Sequence, residues 1–255
     1  MVTLRFDFRN PKKVARLPTN LIPSGQIDMA FVEFFSAANA ACGGNFDRLF
    51  VPFRCIATDA AARKEVVYRS GAGQNDLICI TGNLGAAYMG LQLLEREKRV
   101  LADVQHPEPQ FKGYEYLLEK YLKPRPRTDI VEALAAEKLV PTAMIDLSDG
   151  LSSDLMQICR SSHCGARIYL ERIPIAKQTT SLAEEMHTDP VVAALNGGED
   201  YELLFTVPLS MQEQIMKSGL VDVIGHITPE STGCYLVTPD GAEIKLKAQG
   251  FPDPA

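Results

Sequence analysis

Long apolar runs are missing from this chain: no stretch approaches the roughly 18 consecutive apolar residues that a membrane helix requires. Met1 to Asp7 also lacks the apolar core and small-residue cleavage site of a secretory leader. The expected location is therefore cytoplasmic, with no membrane partner. The six cysteines, Cys42, Cys55, Cys79, Cys159, Cys164 and Cys234, include no C-x-x-C pair, and the four histidines lie far apart. That spacing argues against zinc and for ordinary reduced thiols, mostly buried. Basic charge is in deficit, 26 Lys and Arg against 32 Asp and Glu for a net charge of -6, which argues against a nucleic-acid surface. Also absent are a G-x-x-x-x-G-K-[ST] loop, a protein-kinase signature and any internal repeat, so a nucleotide site here has to be of another kind.

What is present is a globular composition, 46% hydrophobic and 23% charged over 255 residues, enough for one large domain or two modest ones. Residues 1 to about 65 are the least regular. Arg5 to Arg16 is basic and aromatic, Pro18, Pro23 and Gly25 interrupt it, Phe31 to Cys42 reads as a short helix ending at Gly43-Gly44-Asn45, and Leu49 to Ala57 reads as a strand. From Val66 the pattern sharpens. Leu77 to Thr81 is a short buried-type strand, and Gly82-Asn83-Leu84-Gly85 opens a helix to about Lys98. Such a glycine turn can offer free N–H groups to an anion or serve packing alone. Helices are expected over Phe111–Leu122, over Asp129–Glu137 with Thr128 or Asp129 as cap, over Thr179–Met186 and over Ser210–Lys217. Strands are expected over Ala166–Leu170, Leu203–Val207 and Val221–Ile227, with a closing hairpin from Gly233 to Leu246. Strands and helices interleave without a regular βαβ rhythm, which indicates an α+β fold, a mixed β-sheet with packed helices.

Two acid-rich stretches stand out. The first, Ile145-Asp146-Leu147-Ser148-Asp149-Gly150, lies between an apolar strand and the i, i+4, i+7 helical set Leu151, Leu155 and Ile158. Asp146 and Asp149 can converge at the start of that helix, and Mg²⁺ typically takes one or two protein carboxylates plus substrate phosphates. The plainer role for Ser148 or Asp149 is capping the helix. The second stretch, Asn196-Gly197-Gly198-Glu199-Asp200-Tyr201-Glu202, runs directly into a strand. So many acids around one anion need compensation, which metal ions supply in phosphoryl-transfer sites.

These two stretches, in this order, resemble the C-terminal half of the bacterial thiamine-monophosphate kinases. Val66 to Ala72 and Asp76 to Ala86 resemble the segment where that family enters its second domain. The resemblance implies the C-terminal domain of the aminoimidazole-ribonucleotide synthetase-like fold over residues 69–255, with residues 1–68 a truncated or divergent N-terminal region. It also implies ATP-dependent phosphorylation of thiamine monophosphate to thiamine diphosphate by Mg²⁺-assisted in-line transfer, in a possible homodimer. By resemblance, Asp146 and Asp149 are Mg²⁺ ligands, Arg69 and Ser148 contact ATP, and Glu199 and Phe251 contact the thiamine substrate; the bland role for Arg69 is a surface turn. No residue is assigned to covalent or acid–base catalysis. The family's first domain carries further Asp ligands that residues 1–65 do not reproduce. Gly43-Gly44-Asn45-Phe46 puts an amide and a phenyl ring where the family has a carboxylate and a threonine. The alternatives are a non-catalytic ligand-binding or interaction module, or a related superfamily synthetase for aminoimidazole ribonucleotide or selenophosphate.

Overall fold

The central strands are buried almost without a break, because their side chains alternate between two faces of one sheet that are both covered. The computed structural model describes residues 57–59, 64–102 and 109–248. The expected Phe31–Cys42 helix, the Gly43-Gly44-Asn45 turn, most of the Leu49–Ala57 strand and Phe251 lie outside the described residues. The first two strands, β1 (Ala57–Asp59) and β2 (Lys64–Val67), form a separate antiparallel pair. The other strands are β3 (Leu77–Ile80), β4 (Ala143–Asp146), β5 (Cys164–Tyr169), β6 (Leu203–Val207), β7 (Asp222–Pro229), β8 (Cys234–Val237) and β9 (Glu243–Lys245). They form a seven-stranded sheet in the order β4-β6-β3-β7-β5-β8-β9. Its neighbours are antiparallel except for β5 and β8, which run parallel, so the sheet is mixed as expected.

Seven helices accompany the sheet among the described residues: α1 (Ala86–Val100), α2 (Glu115–Leu122), α3 (Thr128–Ala136), α4 (Leu151–Ser162), α5 (Lys177–Glu185), α6 (Pro190–Asn196) and α7 (Gln212–Ser218). Because strand side chains point alternately to opposite faces, Ile78, Ile80, Ile145 and Leu204 meet Leu151, Leu155 and Ile158 of α4 on one face. Their neighbours Leu77, Cys79, Met144 and Phe205 meet Ile130 and Leu134 of α3 and Ile215 of α7 on the other. Met89 and Leu93 of α1, Leu117 of α2 and Leu182 of α5 form a third apolar cluster.

Helix α2 starts at Glu115 rather than at the expected Phe111, since Gly113 holds φ 91°, outside the helical region; two further boundaries differ for local reasons. The chain enters α1 only at Ala86, because Gly82 and Gly85 both hold positive φ, 59° and 74°, outside the helical region. Helix α3 starts at Thr128, with Arg127 at the N-cap and no side-chain cap, so the expected Thr128 or Asp129 cap is not made. The Asp129 carboxylate instead accepts two hydrogen bonds from the Arg127 guanidinium, at 3.0 and 3.1 Å.

Phe205 has no solvent exposure and lies in the cluster under α3 and α7. Phe205→Ala is expected to cost about 3–5 kcal/mol in urea unfolding. A loss below about 1 kcal/mol would contradict this packing.

Candidate functional site

Strands β4 and β6 pair antiparallel with Asp146 opposite Leu203. Their bonding does not stop at the strand ends. The Leu147 N–H donates to the Glu202 carbonyl at 2.8 Å, the Tyr201 N–H to the Leu147 carbonyl at 2.9 Å, and the Glu199 N–H to the Ser148 carbonyl at 2.9 Å. Two acidic stretches far apart in the chain are thereby joined into one surface. Glycine makes the close approach possible. Gly198 holds φ 69°, and a Cβ there would lie 2.5 Å from the Ser148 carbonyl oxygen; Gly150 holds φ 100°, and a Cβ there would lie 2.9 Å from that of Leu195.

Three acids of this unit turn inward. Asp154, 1% exposed, accepts the backbone N–H groups of both Ser148 and Asp149 at 3.0 Å, so it holds the loop that precedes its own helix. Asp200 accepts the N–H groups of Gly85 and Ala87 at 2.8 and 3.2 Å. The glycine turn at Gly82–Gly85 thus meets an anion, but the anion is the protein's own carboxylate at the start of α1. Glu202, also 1% exposed, bonds the Thr81 hydroxyl at 2.5 Å, the Lys120 ammonium at 2.6 Å and the Arg127 guanidinium. It lines a cleft of about 510 Å³ together with Tyr116, Lys120, Arg127 and Asp200. Burial pushes Asp154 up to about 7 against its two N–H bonds, with the charges of Asp149 and Asp146 adding to the rise. Burial likewise lifts Asp200 to about 6, opposed by the Gly85 and Ala87 amides.

The other acids face outward. Asp146 is partly exposed, while Asp149 and Glu199 are exposed. None of the three has a cationic partner among the described residues. Tyr201 lies among them: its hydroxyl donates to Glu199 at 3.0 Å. Burial raises its pKa first, followed by that hydrogen bond and the charges of Glu199, Asp146 and Asp149. Glu199 and Tyr201 both hold left-handed backbone, φ 61° and 50°, which is strained for residues with a Cβ. Neither Ser148 nor Asp149 caps α4; its N-cap is Gly150, without a side-chain cap, and the loop amides go to Asp154.

Among the described residues no three His, Cys, Asp or Glu side chains converge closely enough to hold a metal by themselves. Two carboxylates on a solvent-facing surface, without a cationic partner among the described residues, match what Mg²⁺ asks for, since it keeps waters and takes phosphate oxygens for the rest of its shell. The donor set therefore fits the ion.

Asp146, Ser148, Asp149 and Glu199 are brought together; the Tyr68 carbonyl, which accepts the Met144 N–H at 2.9 Å, sets β4 beside Arg69. The Arg69 carbonyl faces the Ser162 hydroxyl at 3.5 Å, at the other end of α4 from Asp149. That helix of 12 residues is about 18 Å long. Among the described residues the Arg69 Nε is buried without a hydrogen-bond partner, a donor left over for something else. The sequence reading missed the anchoring set Asp154, Asp200, Glu202, Lys120 and Arg127. Lys120 and Arg127 flank the prolines that end α2, so they read as helix punctuation; only the pairing of β4 with β6 reveals their partner.

Because folded Asp154 keeps its proton up to about 7 while the unfolded residue loses it near 3.8, raising the pH between these values costs stability, and the penalty is complete above about 7. The stability of the metal-free protein relative to Asp154→Asn should therefore fall as pH rises from about 4 to about 7 and then level off. Urea midpoints across that range test this, and a difference that rises with pH would show Asp154 ionised in the fold.

Residues 75–236 match the model of the AIR synthase related protein family, C-terminal domain. The thiamine-monophosphate kinase of Buchnera aphidicola (Schizaphis graminum) is 39% identical over 197 residues, covering 74% of this chain and 55% of that protein. That of Escherichia coli K12 is 40% identical over 197 residues, covering 72% and 54%. The solved structure of AaThiL complexed with AMPPCP and TMP superposes with TM-score 0.57 at 29% identity, covering 72% of this chain and 54% of that one. The chain thus spans about half the length of the curated relatives it matches. An acidic strand-to-helix loop, laddered to a second acidic loop on a mixed sheet, is in this chain the C-terminal domain of the AIR synthase related family, to which the chain belongs.

Proposed function

We propose that this chain supplies the nucleotide- and substrate-binding half of a thiamine-phosphate kinase. The observation that carries this reading is the backbone ladder that sets Asp146, Ser148, Asp149 and Glu199 on one face while Asp154, Asp200 and Glu202 anchor that face from beneath. AaThiL, similar to this chain over its fold, is described with AMPPCP and TMP, a nucleotide analogue and the phosphate acceptor. The relatives named as thiamine-monophosphate kinases support the same reaction class.

In this reading an oxygen of the thiamine monophosphate phosphate attacks the γ-phosphorus of ATP. The new P–O bond forms as the bond to the β,γ-bridging oxygen breaks, leaving ADP and thiamine diphosphate. Asp146 and Asp149 would hold Mg²⁺, which neutralises phosphate charge when bound. The Ser148 hydroxyl and the unpartnered Arg69 guanidinium donate to ATP, Arg69 from the far end of α4, and Glu199 approaches the thiamine substrate with Phe251. Holding both phosphates in line is most of what the chain contributes, so no side chain needs to take a proton. The reading includes a divergent region over residues 1–68, a binding domain over residues 69–255, a cytoplasmic location and a homodimer. The absence, among the described residues, of a helix long and apolar enough to cross a membrane is compatible with it.

The same ladder also serves a second reading, a ligand-binding module without turnover, since positioned carboxylates hold a ligand whether or not a reaction follows. A coupled ADP-release assay with thiamine monophosphate and Mg²⁺, run beside calorimetric titration with AMPPCP, separates the two. Turnover that falls about 100-fold or more in Asp149→Asn, with unchanged unfolding, is expected of the kinase. Nucleotide binding without turnover in the parent supports the module, and neither binding nor turnover overturns both readings.

A further inference from the structure

On the sheet face that α3 and α7 share, apolar cover stops partway across. The cluster beneath those helices takes in Leu77 of β3 and Val223 of β7. Opposite Leu77, on the same face, stands His226; opposite His226 stands Arg167, and two positions further along β5 comes Tyr169. A cleft of about 940 Å³ opens here, lined by Leu77, Val223 and the buried Ile173 together with the rings of Tyr169 and His226. Its size lies within the range of small-molecule sites. Leu209 and Met216 on the same cleft are 51% and 63% exposed, apolar surface that an occupant would cover. None of Asp146, Ser148, Asp149 and Glu199 lines it, so its lining is not that of the acidic face.

The polar groups of the cleft form a stack. The Tyr169 and His226 rings lie 6.0 Å apart between centroids, their planes 30° from parallel, and the Tyr169 hydroxyl is hydrogen-bonded to His226 Nδ1 at 3.3 Å. The Arg172 guanidinium carbon stands 5.1 Å from the Tyr169 ring centroid. Gly225 lets the two strands approach: a Cβ there would lie 2.1 Å from the Arg167 carbonyl oxygen. Burial, then the charge of Arg167, lowers the His226 pKa, which favours the neutral imidazole. Arg172 is exposed and has no ion-pair partner among the described residues. Its planar fork of donors is therefore free for acceptor atoms, and flat rings stack on its plane. Glu171 and Asp222 also line the cleft, and neither has a cationic partner among the described residues. Two such carboxylates repel a phosphate but accept hydrogen bonds from hydroxyl and N–H groups.

We propose that this cleft is a separate ligand site that binds an uncharged planar nitrogen heterocycle of the nucleobase or nucleoside class. The ring extends the stack of His226, Tyr169 and Arg172, and the Arg172 donors meet carbonyl or ring-nitrogen acceptors on its edge. Hydroxyl or N–H groups of the ligand face Glu171 and Asp222, which also turn away phosphorylated forms. The apolar lining takes the remaining surface of the ring. No bond is made or broken there, and the proposal does not depend on how the acidic loops are read.

The test titrates inosine into the full chain, read by calorimetry and by saturation-transfer NMR. Inosine carries no net charge and presents the carbonyl and ring-nitrogen acceptors that a guanidinium meets. A saturable Kd on the order of 0.1 mM is expected. Arg172→Ala, at an exposed position, should weaken binding about tenfold with an unchanged urea midpoint, and Tyr169→Ala should weaken it as well. AMPPCP with Mg²⁺ should leave bound inosine in place, and inosine monophosphate should bind about tenfold more weakly than inosine. The titration of the unsubstituted chain with these competitors decides the matter even where Tyr169→Ala fails to fold. No saturation up to about 5 mM, full affinity in Arg172→Ala, displacement by AMPPCP, or a monophosphate that binds as well as inosine would overturn the proposal.

Discussion

The backbone pairing of β4 with β6 is the constraint on which the rest of the site depends. Both strands are four or five residues long and largely buried, so their register is fixed by which side chains must enter the core. Once Ile145 faces Leu204 and Asp146 faces Leu203, the residues beyond the strand ends have little freedom. The alternation of a strand continues into the loop: Glu199 is exposed, Asp200 buried, Tyr201 partly exposed and Glu202 buried. A stretch that reads as one acidic cluster is thereby sorted into residues that face outward and residues that serve the fold.

The inward acids solve the same problem in three ways. A carboxylate taken out of water must be paired, hydrogen-bonded or neutralised. Glu202 is paired, lying between a lysine and an arginine with a threonine hydroxyl beside them. Asp200 is hydrogen-bonded to amides at the start of a 15-residue helix, where the helix dipole adds its help. Asp154 has amides only, and two other carboxylates stand near it, so it moves toward its neutral form. Placing the least compensated acid directly beneath Asp149 leaves the outward acidic loop resting on the most environment-sensitive group of the three.

The strands and helices from Leu77 onward were legible in the sequence because their periodicity is strong; Leu151, Leu155 and Ile158 form the buried stripe of α4 that their spacing announces. The α+β class was legible too, but the strand order was not. Every pairing in the sheet except β8 with β9 joins strands that are not consecutive, and hydrophobic pattern carries no information about which strands become neighbours. The same limit governs the site. Asp146, Ser148, Asp149 and Glu199 could be named from the resemblance, whereas the tasks of Asp154, Asp200 and Glu202 follow from which way each side chain faces after β4 meets β6. The Gly82–Gly85 turn shows the limit most plainly: the chemistry of its amides was readable, but their partner, more than a hundred positions away, was not.

The ladder that joins Ser148 to Glu199 spans a single excursion of chain through α4, β5, α5 and α6. Neither acidic stretch therefore has its geometry as an isolated peptide, and their shared acidic face forms only when a long-range strand pair forms, late among folding events that favour local contacts. The excursion has its own latitude. Closure entropy grows only logarithmically with loop length, so lengthening the exposed turn between α5 and α6 leaves the cost of bringing the two stretches together nearly unchanged. A one-residue slip where β4 meets β6 would instead exchange the faces, turning Glu202 toward solvent and Glu199 into the core.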